Sequence, residues 1–445
     1  FIPMAQSITS SAPLERDARA VNTRDDHGVN PGEIAIGVII GRTSEFFDFF
    51  VYAIASVLVF PQIVFPQLDR VSGTLWSFGL FSLAFIARPI GTQIFMRIDR
   101  ELGRGTKLTI ALFLLGTATV AMAFLPGYAS VGIFSPLLLA LFRIGQGLAL
   151  GGAWDGLASL LALNAPDQKR GWWAMVPQIG APLGLIVAAG LFAFALGTLS
   201  PADFLSWGWR YPFFVAFALN VVALFARLRI VVTPEYTDMF KTRELTPSRV
   251  TATLKAQWRN IIIGAFAPLA SFALFHMVTV FPLSWVALNT SENITRFLLI
   301  EMFGATVCVG AIVASGLLAD RIGRRSLLGY TAAAIAVYSG FAPQLLDAGY
   351  VGEAVFMIMG FVLLGLSFGQ SSGAVTSNFP KRARYTGAAI TSDLAWLFGA
   401  GFAPLAALVL AEEFGLVAAG TYLLSGAVGT LVALGLNKEL ARRLD

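Results

Sequence analysis

The feature that most constrains this chain is a nearly unbroken succession of apolar stretches, each long enough to cross a lipid bilayer. A helical span needs about 20 apolar residues. Of the 445 residues, 56% are hydrophobic and 13% are charged, whereas a soluble protein has about 25% charged residues. The pattern predicts an all-α membrane protein with twelve transmembrane helices, near residues 33–61, 74–96, 107–126, 132–161, 171–197, 210–228, 259–287, 296–319, 326–345, 353–377, 385–411 and 415–437.

The charges in the loops predict how these spans are oriented. Lysine and arginine concentrate in alternate loops, including Arg97, Lys107 and the segment 227–259, whereas the intervening loops contain acidic residues such as Asp347 and Glu412. Because positively charged loops remain on the cytoplasmic side, we expect both termini to be cytoplasmic. The net charge of +5 then reflects topology, and nucleic acid is not an expected partner.

The two halves of the chain repeat each other. GLALG at Gly147 resembles GLSFG at Gly365, and Asp99 and Asp320 both precede an arginine; in each pair the positions are about 220 residues apart, which indicates an internal repeat. We therefore expect two homologous six-helix halves. The predicted domains are a cytoplasmic tail 1–32, a first bundle 33–228, a cytoplasmic linker 229–258, a second bundle 259–437 and a cytoplasmic tail 438–445.

Charged residues lie inside the first span, in the stretch GRTSEFFDFF, which places Arg42, Glu45 and Asp48 on one helix face. By helix rise, Asp48 is about 22 Å into its span and Arg143 about 16 Å into the fourth. An isolated charge at that depth costs at least about 2.5–3.5 kcal/mol. We expect Asp48 to pair with Arg143 and to release it for an anionic substrate on protonation. The alternative is a fixed salt-bridge cluster that only positions helices.

Several stretches resemble one transporter family. GLLADRIGRR (316–325) is similar to the cytoplasmic loop signature of the major facilitator superfamily, G-x-x-x-D-R-x-G-R-R/K. SEFFDFFVYA (44–53), LFRIGQGLALGGAWDG (141–156) and RGWWAMVPQIGAPLG (170–184) resemble helices of its metabolite:proton symporter family. The resemblance implies two pseudo-symmetric six-helix bundles and symport by alternating access, as in the α-ketoglutarate, citrate, shikimate and proline/betaine symporters.

The chain departs from the family pattern at three places. One is Arg42, which stands where the family usually has an uncharged polar residue. In the loop FMRIDRELGRG, Asp99 lies one residue earlier than the family's aspartate when Gly103 is aligned. In the fourth span Ala153 replaces the family's glutamate, and Asp155 follows two residues later. The resemblance assigns the cytoplasmic gate to Asp99, Arg100, Arg104, Asp320, Arg321, Arg324 and Arg325.

Membrane-depth polar residues supply the other candidates. The residues predicted to couple protons are Asp48, Glu45, Asp155 and Asp393, and those predicted to bind substrate are Arg143, Arg42, Arg88, Gln146, Gln178, His276 and Gln370. Three of these residues also have a structural alternative. Asp393 can pair with a basic loop residue of the second half, Arg88 can be a structural clamp, and His276 can be hydrogen-bonded to the backbone.

These features predict proton-coupled symport of a small organic anion, a mono- or dicarboxylate, driven by the proton gradient without a cofactor. We expect a monomer in the bacterial inner membrane. The alternatives are uptake of a zwitterion such as betaine or proline, a proton-independent uniporter or exchanger, and a membrane sensor on a transporter scaffold. One cysteine and two histidines, with no catalytic triad or nucleotide loop, argue against an enzyme and a metal site.

Overall fold

The computed structural model describes residues 31–154, 156–242, 245–376 and 379–437, and all regular secondary structure in these ranges is helical. Twelve long helices follow one another. They are α1 Pro31–Leu58, α2 Arg70–Leu102, α3 Arg104–Ala123, α4 Phe134–Gly152, α5 Arg170–Thr198, α6 Gly208–Val231, α7 Leu269–Asn289, α8 Ile294–Ile322, α9 Arg324–Phe341, α10 Gly349–Gly373, α11 Lys381–Phe414 and α12 Leu416–Leu436.

Ten helices in the described part of the chain are long and apolar enough to cross a membrane. The two long helices outside that group are α1 and α9. Helix α1 contains the charged residues Arg42, Glu45 and Asp48, and α9 has 18 residues, of which the first two are arginines. They occupy the places of the first and ninth predicted spans, and at a rise of about 1.5 Å per residue α9 is about 27 Å long.

Helix packing repeats between the two halves. In the first half α1 packs on α5, α2 on α4 and α3 on α6; in the second half α7 packs on α11, α8 on α10 and α9 on α12. Each pair therefore recurs six helices later, which confirms the predicted architecture of two pseudo-symmetric six-helix bundles. The limits 33–228 and 259–437 stay predictions.

Two glycines explain the closest helix pairs. A Cβ atom on Gly147 of α4 would lie 2.3 Å from the carbonyl oxygen of Ala84 on α2, and one on Gly365 of α10 would lie 2.7 Å from the carbonyl oxygen of Cys308 on α8. Only a residue without a side chain fits such an approach. The repeated sequences GLALG and GLSFG thus have the same structural role in each half.

The loops from α2 to α3 and from α8 to α9 turn at Gly103 and Gly323, whose φ angles of 92° and 86° favour glycine. The end of the bundle that carries these two glycines also carries the linker between the halves, which is rich in lysine and arginine. We call this end the basic side, and the sequence predicts that it is cytoplasmic. The linker contains the helices Pro234–Thr242 and Val250–Phe266.

The two halves meet along two helix pairs, α2 with α11 and α5 with α8. These pairs are themselves related by the internal repeat, since α2 corresponds to α8 and α5 to α11. Helices α1, α7 and α10 also contribute to the interface. This arrangement positions the candidate site between the bundles.

Candidate functional site

A cavity of about 50 Å³ lies between the two halves, with room for a few water molecules. Its first-half wall carries the polar residues Arg42, Glu45, Arg88, Gln178 and Arg227 among apolar and small residues such as Val38, Leu150, Trp154 and Pro177. Its second-half wall consists of three aromatic residues and three serines, Phe272, Phe368, Ser371, Ser372, Ser392 and Trp396. Three predicted substrate residues, Arg42, Arg88 and Gln178, therefore face one cavity.

Glu45 joins two arginines in this wall. Its Oε2 lies 2.9 Å from a terminal nitrogen of Arg42, and its Oε1 lies 2.5 Å from a terminal nitrogen of Arg227 on α6. Arg227 also donates to the carbonyl oxygen of Ala153 at the end of α4. Arg42 and Glu45, which the sequence places on one helix face, thus form an ion pair, and Glu45 is shared between two cations.

Arg88 and Asp393 connect the two halves. Arg88 on α2 donates its Nε proton to Asp393 on α11 across 2.7 Å, and Thr92 donates to the other carboxylate oxygen across 2.5 Å. The expected pairing of Asp393 with a basic loop residue of its own half is absent. The reason is that α2 and α11 pack directly on each other, so the nearest guanidinium comes from the first half.

Asp48 lies inside the first half, where α1, α3 and α6 meet. Its Oδ2 accepts a hydrogen bond from the Asn220 side chain at 2.6 Å and from the Thr119 hydroxyl at 3.2 Å, while Oδ1 has no partner among the described residues. None of the ion pairs in the described part of the chain includes Asp48. The expected direct contact with Arg143 is therefore not made in this structure.

Arg143 and Asp48 are instead joined through two intermediate side chains. Arg143 donates to Gln146 Oε1 at 2.9 Å, and Gln146 donates through Nε2 to Thr119 Oγ1 at 2.7 Å, next to Asp48. The Arg143 guanidinium also lies over the Tyr52 ring, 4.2 Å from its centroid. Arg143 and Gln146 were predicted to bind substrate, but their partners place them inside the first half rather than on the cavity wall.

An aromatic cluster lies one turn further along α1 than the cavity. Phe49 stacks on His276 of α7 with centroids 5.0 Å apart, and Phe46 contacts Phe275 and Trp396 at 5.6 and 5.8 Å. His276 Nδ1 is 3.3 Å from the Thr279 hydroxyl rather than bonded to backbone. His276 therefore belongs to the contact between the halves, above the cavity wall.

On the basic side, the second half contacts the first through Asp320. Its two carboxylate oxygens accept hydrogen bonds from the backbone nitrogens of Gly171 and Trp172, at 2.7 and 3.2 Å. These nitrogens are at the start of α5, where a carboxylate is favoured. Gln370, predicted to bind substrate, donates to the Gly171 carbonyl oxygen at 3.0 Å and lies 3.4 Å from Arg324. It therefore belongs to the contact between the halves at the predicted cytoplasmic gate.

The corresponding gate of the first half uses different chemistry. Asp99 lies 2.9 Å from Nζ of Lys107, which is buried, and 4.0 Å from Arg104. Tyr385 at the start of α11 donates its hydroxyl proton to Asp99 at 3.0 Å and accepts from Lys107 at 2.7 Å. Asp99, which lies one residue earlier than in the family pattern, thus contacts the side chains of Lys107 and Tyr385, whereas Asp320 contacts backbone nitrogens at the start of a helix.

Residues 245–248 of the linker, which we call the linker strap, cross this gate. Arg100 donates to the Ser248 carbonyl oxygen at 3.0 Å, and Arg104 donates to that of Leu245 at 2.9 Å. The Ser248 nitrogen donates to the Thr386 hydroxyl of α11 at 2.8 Å. The linker strap therefore bonds to both halves.

Three predicted residues are not part of these clusters. Arg321 is exposed to solvent on the basic side. Arg325 donates to the Leu434 carbonyl oxygen of α12 at 3.1 Å, within the second half. Asp155 lies outside the described residues.

Sequence reasoning missed Arg227, Lys107 and Asn220. Arg227 and Lys107 were grouped with the basic loops, because each lies near the end of a span where charge is common. Asn220 had a usable signal, since it is the only amide side chain in the predicted sixth span, 210–228. Buried amides need partners, and this one meets Asp48.

Comparisons with known proteins agree with this architecture. Residues 34–260 match the family model described as sugar (and other) transporter. The inner membrane metabolite transport protein YhjE of Escherichia coli K12 is 36% identical over 443 residues, which are 98% of this chain and 98% of that protein. The shikimate transporter of Escherichia coli K12 is 29% identical over 445 residues, covering 96% of this chain and 100% of that protein.

The fold is also that of a solved transporter. A crystal structure of a D-xylose–proton symporter matches with a TM-score of 0.70 at 18% identity, and the match covers 92% of this chain and 97% of that one. These relatives and this fold are those of transporters, not of enzymes. The chain is thus a multi-pass membrane transporter that belongs to the sugar (and other) transporter family and has the major facilitator fold.

Proposed function

We propose that this protein is a proton-coupled symporter of a small organic anion, in which the cavity between the halves alternately opens to each side of the membrane. The observation that carries the proposal is the convergence of Arg42, Arg88 and Arg227 on that cavity. Guanidinium groups bind carboxylates through paired hydrogen bonds.

The charged residues of the cavity wall favour an anion. Three of those that the structure describes there are arginines, and each contacts a carboxylate, Glu45 or Asp393. A carboxylate cargo can compete with these carboxylates for the guanidinium groups.

Asp48 is the proposed proton carrier. It is buried at 2% exposure without an ion-pair partner in the described part of the chain, and it lies next to Thr119 and Asn220. A carboxyl group can gain or lose a proton, whereas the guanidinium of Arg143 keeps its charge. The hydrogen-bonded chain through Gln146 gives the charge on Asp48 a route to Arg143, and hence to the packing of α4 against α1 and α2.

The proposal extends to the oligomeric state, the energy source, the opening of the basic side and the membrane in which the protein resides. The cavity is formed within one chain, so we propose a working monomer, with the proton gradient as energy source and no cofactor. The gate contacts of Asp99 and Asp320 must break for the basic side to open. We propose that the basic side is cytoplasmic and that the protein resides in the bacterial inner membrane, because the loops of that side are rich in arginine and lysine.

The proposal is tested by Asp48→Asn in proteoliposomes. Asparagine keeps the shape and the hydrogen bond but cannot exchange a proton. We expect an inward proton gradient to drive accumulation of a carboxylate in the unchanged protein and no accumulation in the variant. Counterflow exchange, which needs no net proton movement, is expected to continue.

The matched control is Asp69→Asn. Asp69 is exposed and caps α2, and the hydrogen bonds from Ser72 lower the pKa of its carboxyl group. Asparagine caps a helix about as well as aspartate, so this variant should accumulate substrate normally. Uptake that ignores the proton gradient would point to a uniporter or exchanger, and ligand binding without any flux would point to a sensor.

A further inference from the structure

Glu301 on α8 is a buried acid for which the proposed function has no role. It is 0% exposed, and among the acids that the structure describes it alone has both carboxylate oxygens buried without a hydrogen-bond partner. None of the ion pairs in the described part of the chain includes it. Because an ionised carboxylate without a partner is strongly unfavourable in apolar surroundings, Glu301 holds its proton in this structure.

Glu301 lies where α8 meets the first half. Helix α8 begins at the end of the bundle opposite the basic side, which we call the outer side, and Glu301 is about 10 Å from that beginning by helix rise. A Cβ atom on Gly190 of α5 would lie 3.3 Å from the Met302 methyl group, and Gly304 packs against the Phe361 ring of α10. Because successive helix residues are turned by about 100°, Glu301 lies between these two faces of α8.

The same face of α8 borders a small cavity between the halves. Cys308, two turns after Glu301, lines this cavity of about 10 Å³. Phe50 of α1 and Ala181 of α5 line it from the first half, and Phe275 of α7 lines it from the second. Because residues seven positions apart lie on nearly one helix face, Glu301 is on the side of α8 that is turned to the contact between the halves.

No neighbouring titratable group compensates a charge on Glu301. On the long helices packed against α8, and on α8 itself, the titratable groups away from the basic side and from lipid are His276, Tyr338, Glu353, Arg296 and Cys308, and Tyr350 lies exposed at the start of α10. Beyond its first residue, α5 has none. The described partners of these groups are other residues, such as Thr279 for His276 and the Phe356 carbonyl oxygen for Tyr338. Ionisation of Glu301 would therefore leave an unpaired negative charge between the helices.

We propose that Glu301 is a proton-binding site that is filled from the outer side. When the halves part at that end, the contact between Met302 and Gly190 opens and water reaches Glu301. The acid then releases its proton to this water and becomes the anion. Closing the outer side requires a proton to return from the same water, because the closed site holds only the neutral acid. Outer closure therefore depends on the pH of the outer side.

The proton on Glu301 differs from the one proposed for Asp48. It is taken up and released on one side of the membrane, so it controls closure and adds nothing to the driving force for uptake. The inference goes beyond the proposed function, because it concerns the closing of the outer side and requires no particular cargo.

The bound proton is tested by infrared spectroscopy of the purified full chain, since a protonated carboxyl group has a carbonyl band separate from that of the anion. We expect this band at neutral pH in the unchanged protein and a weaker one in Glu301→Gln. Glu301→Asp, which keeps an acid, should retain the band. Identical carboxyl bands in the unchanged protein and in Glu301→Gln would overturn the proposal.

Closure is tested by thiol labelling of the native Cys308 without cargo. Cys308 is buried, and residues of both halves line its cavity, so parting of the halves exposes it. The labelling rate is divided by that of glutathione at the same pH. From about pH 6 to about pH 8 we expect this relative rate to rise about tenfold per pH unit, the dependence for release of one proton. In Glu301→Gln the rise should be absent.

Three further chains identify the residue and the side. Asp48→Asn should keep the rise, and so should the matched control Glu413→Gln, which removes an exposed acid near the outer end of α11. Ser392→Cys in a Cys308→Ser chain reports opening of the basic side and should label no faster as the pH rises. Folding of each variant is checked by its thermal unfolding.

A relative labelling rate that stays constant with pH in the unchanged protein overturns the inference, even if Glu301→Gln does not fold. An equal rise in Glu301→Gln, or loss of the rise in Asp48→Asn, assigns the response to another group and overturns it as well. A parallel rise for Ser392→Cys would show that the basic side opens instead. Since these measurements use no cargo, their failure leaves carboxylate symport standing, and failure of gradient-driven uptake leaves the Glu301 site standing.

Discussion

At the scale of single residues, the ion pair between Arg88 and Asp393 is the buried contact that joins the two halves at the site. Both side chains are buried, they belong to different halves, and Thr92 satisfies the second carboxylate oxygen. Because Arg88 also lines the cavity, the proposed carboxylate cargo would compete with Asp393 for the same guanidinium. Binding of cargo and separation of the halves therefore act on one contact.

We predict that Arg88→Gln and Asp393→Asn are non-additive. Each change leaves a buried charge without its partner, which typically costs about 3–5 kcal/mol, so each should lower the thermal stability of the purified protein. The double variant should lose less than the two single losses combined, because it leaves neither charge. Additive losses would show that the pair does not couple the halves.

The control for this cycle is on the same helix. Arg97 and Glu101 form an ion pair on α2 whose side chains are 72% and 57% exposed. Exposed pairs contribute at most about 1 kcal/mol. Arg97→Gln is therefore expected to leave the unfolding temperature nearly unchanged.

At the scale of helices, the close pairs α2–α4 and α8–α10 hold each half together as a unit. Gly147 permits the first pair and Gly365 the second, since backbone atoms of the neighbouring helix occupy the space of a side chain. Arg88 is on α2 and Arg143 on α4. The distance between these two helices therefore sets the position of Arg88 in the cavity wall relative to the hydrogen-bonded chain that runs from Arg143 to Asp48.

We predict that Gly147→Ala destabilises the protein, because its Cβ would lie 2.3 Å from the Ala84 carbonyl oxygen. Overpacking typically costs about 1–3 kcal/mol, which is read from thermal unfolding of the purified protein. The matched control is Gly79→Ala on α2, where nothing lies within 4 Å of the new atom; alanine in a helix should raise stability by about 0.5–1 kcal/mol there. Equal effects of the two changes would contradict the packing argument.

At the scale of the whole molecule, the basic side is closed by two chemically different contacts, one at Asp320 and one at Asp99, and by the linker strap. Asp320 caps the start of α5, whereas Asp99 joins Lys107 and Tyr385. The linker strap then bonds to α11 through Thr386. The loop after α2 is therefore connected to the second half both through Tyr385 and through the linker strap.

We predict that Thr386→Val opens the basic side more often. Loss of the Ser248–Thr386 bond removes about 1 kcal/mol of closure, which corresponds to a roughly fivefold larger open population. The readout is the rate at which a thiol reagent, applied to the purified protein, labels Ser392→Cys in the cavity wall. The native Cys308 is buried, which keeps the background low.

The matched control for this prediction is Thr391→Val on the same helix. The Thr391 hydroxyl donates to the Gly387 carbonyl oxygen of its own helix and does not contact the linker strap. Labelling in this variant should match that of the unchanged protein. Equal labelling in Thr386→Val would show that the strap does not contribute to closure.

Much of this fold could be predicted because its determinants are local. Apolar length defined the spans, and the repeated glycine motifs predicted two equivalent halves, which the packing of α2–α4 and α8–α10 confirms. The site was predicted less well. Residues near span ends, such as Arg227, have the composition of loops, and no local pattern shows whether such a residue turns inward.

The sequence by itself determined that this chain crosses the membrane many times, repeats once and places Arg42, Glu45, Asp48 and Arg143 within its spans, because apolar length and charge are properties of short stretches. The tertiary structure alone decided the contacts that the charged residues make with other helices. Arg88 meets a residue 305 positions away, and Asp48 meets Asn220, 172 positions away. Such contacts depend on how each helix is rotated against its neighbours, and that rotation is set by packing between helices rather than within one.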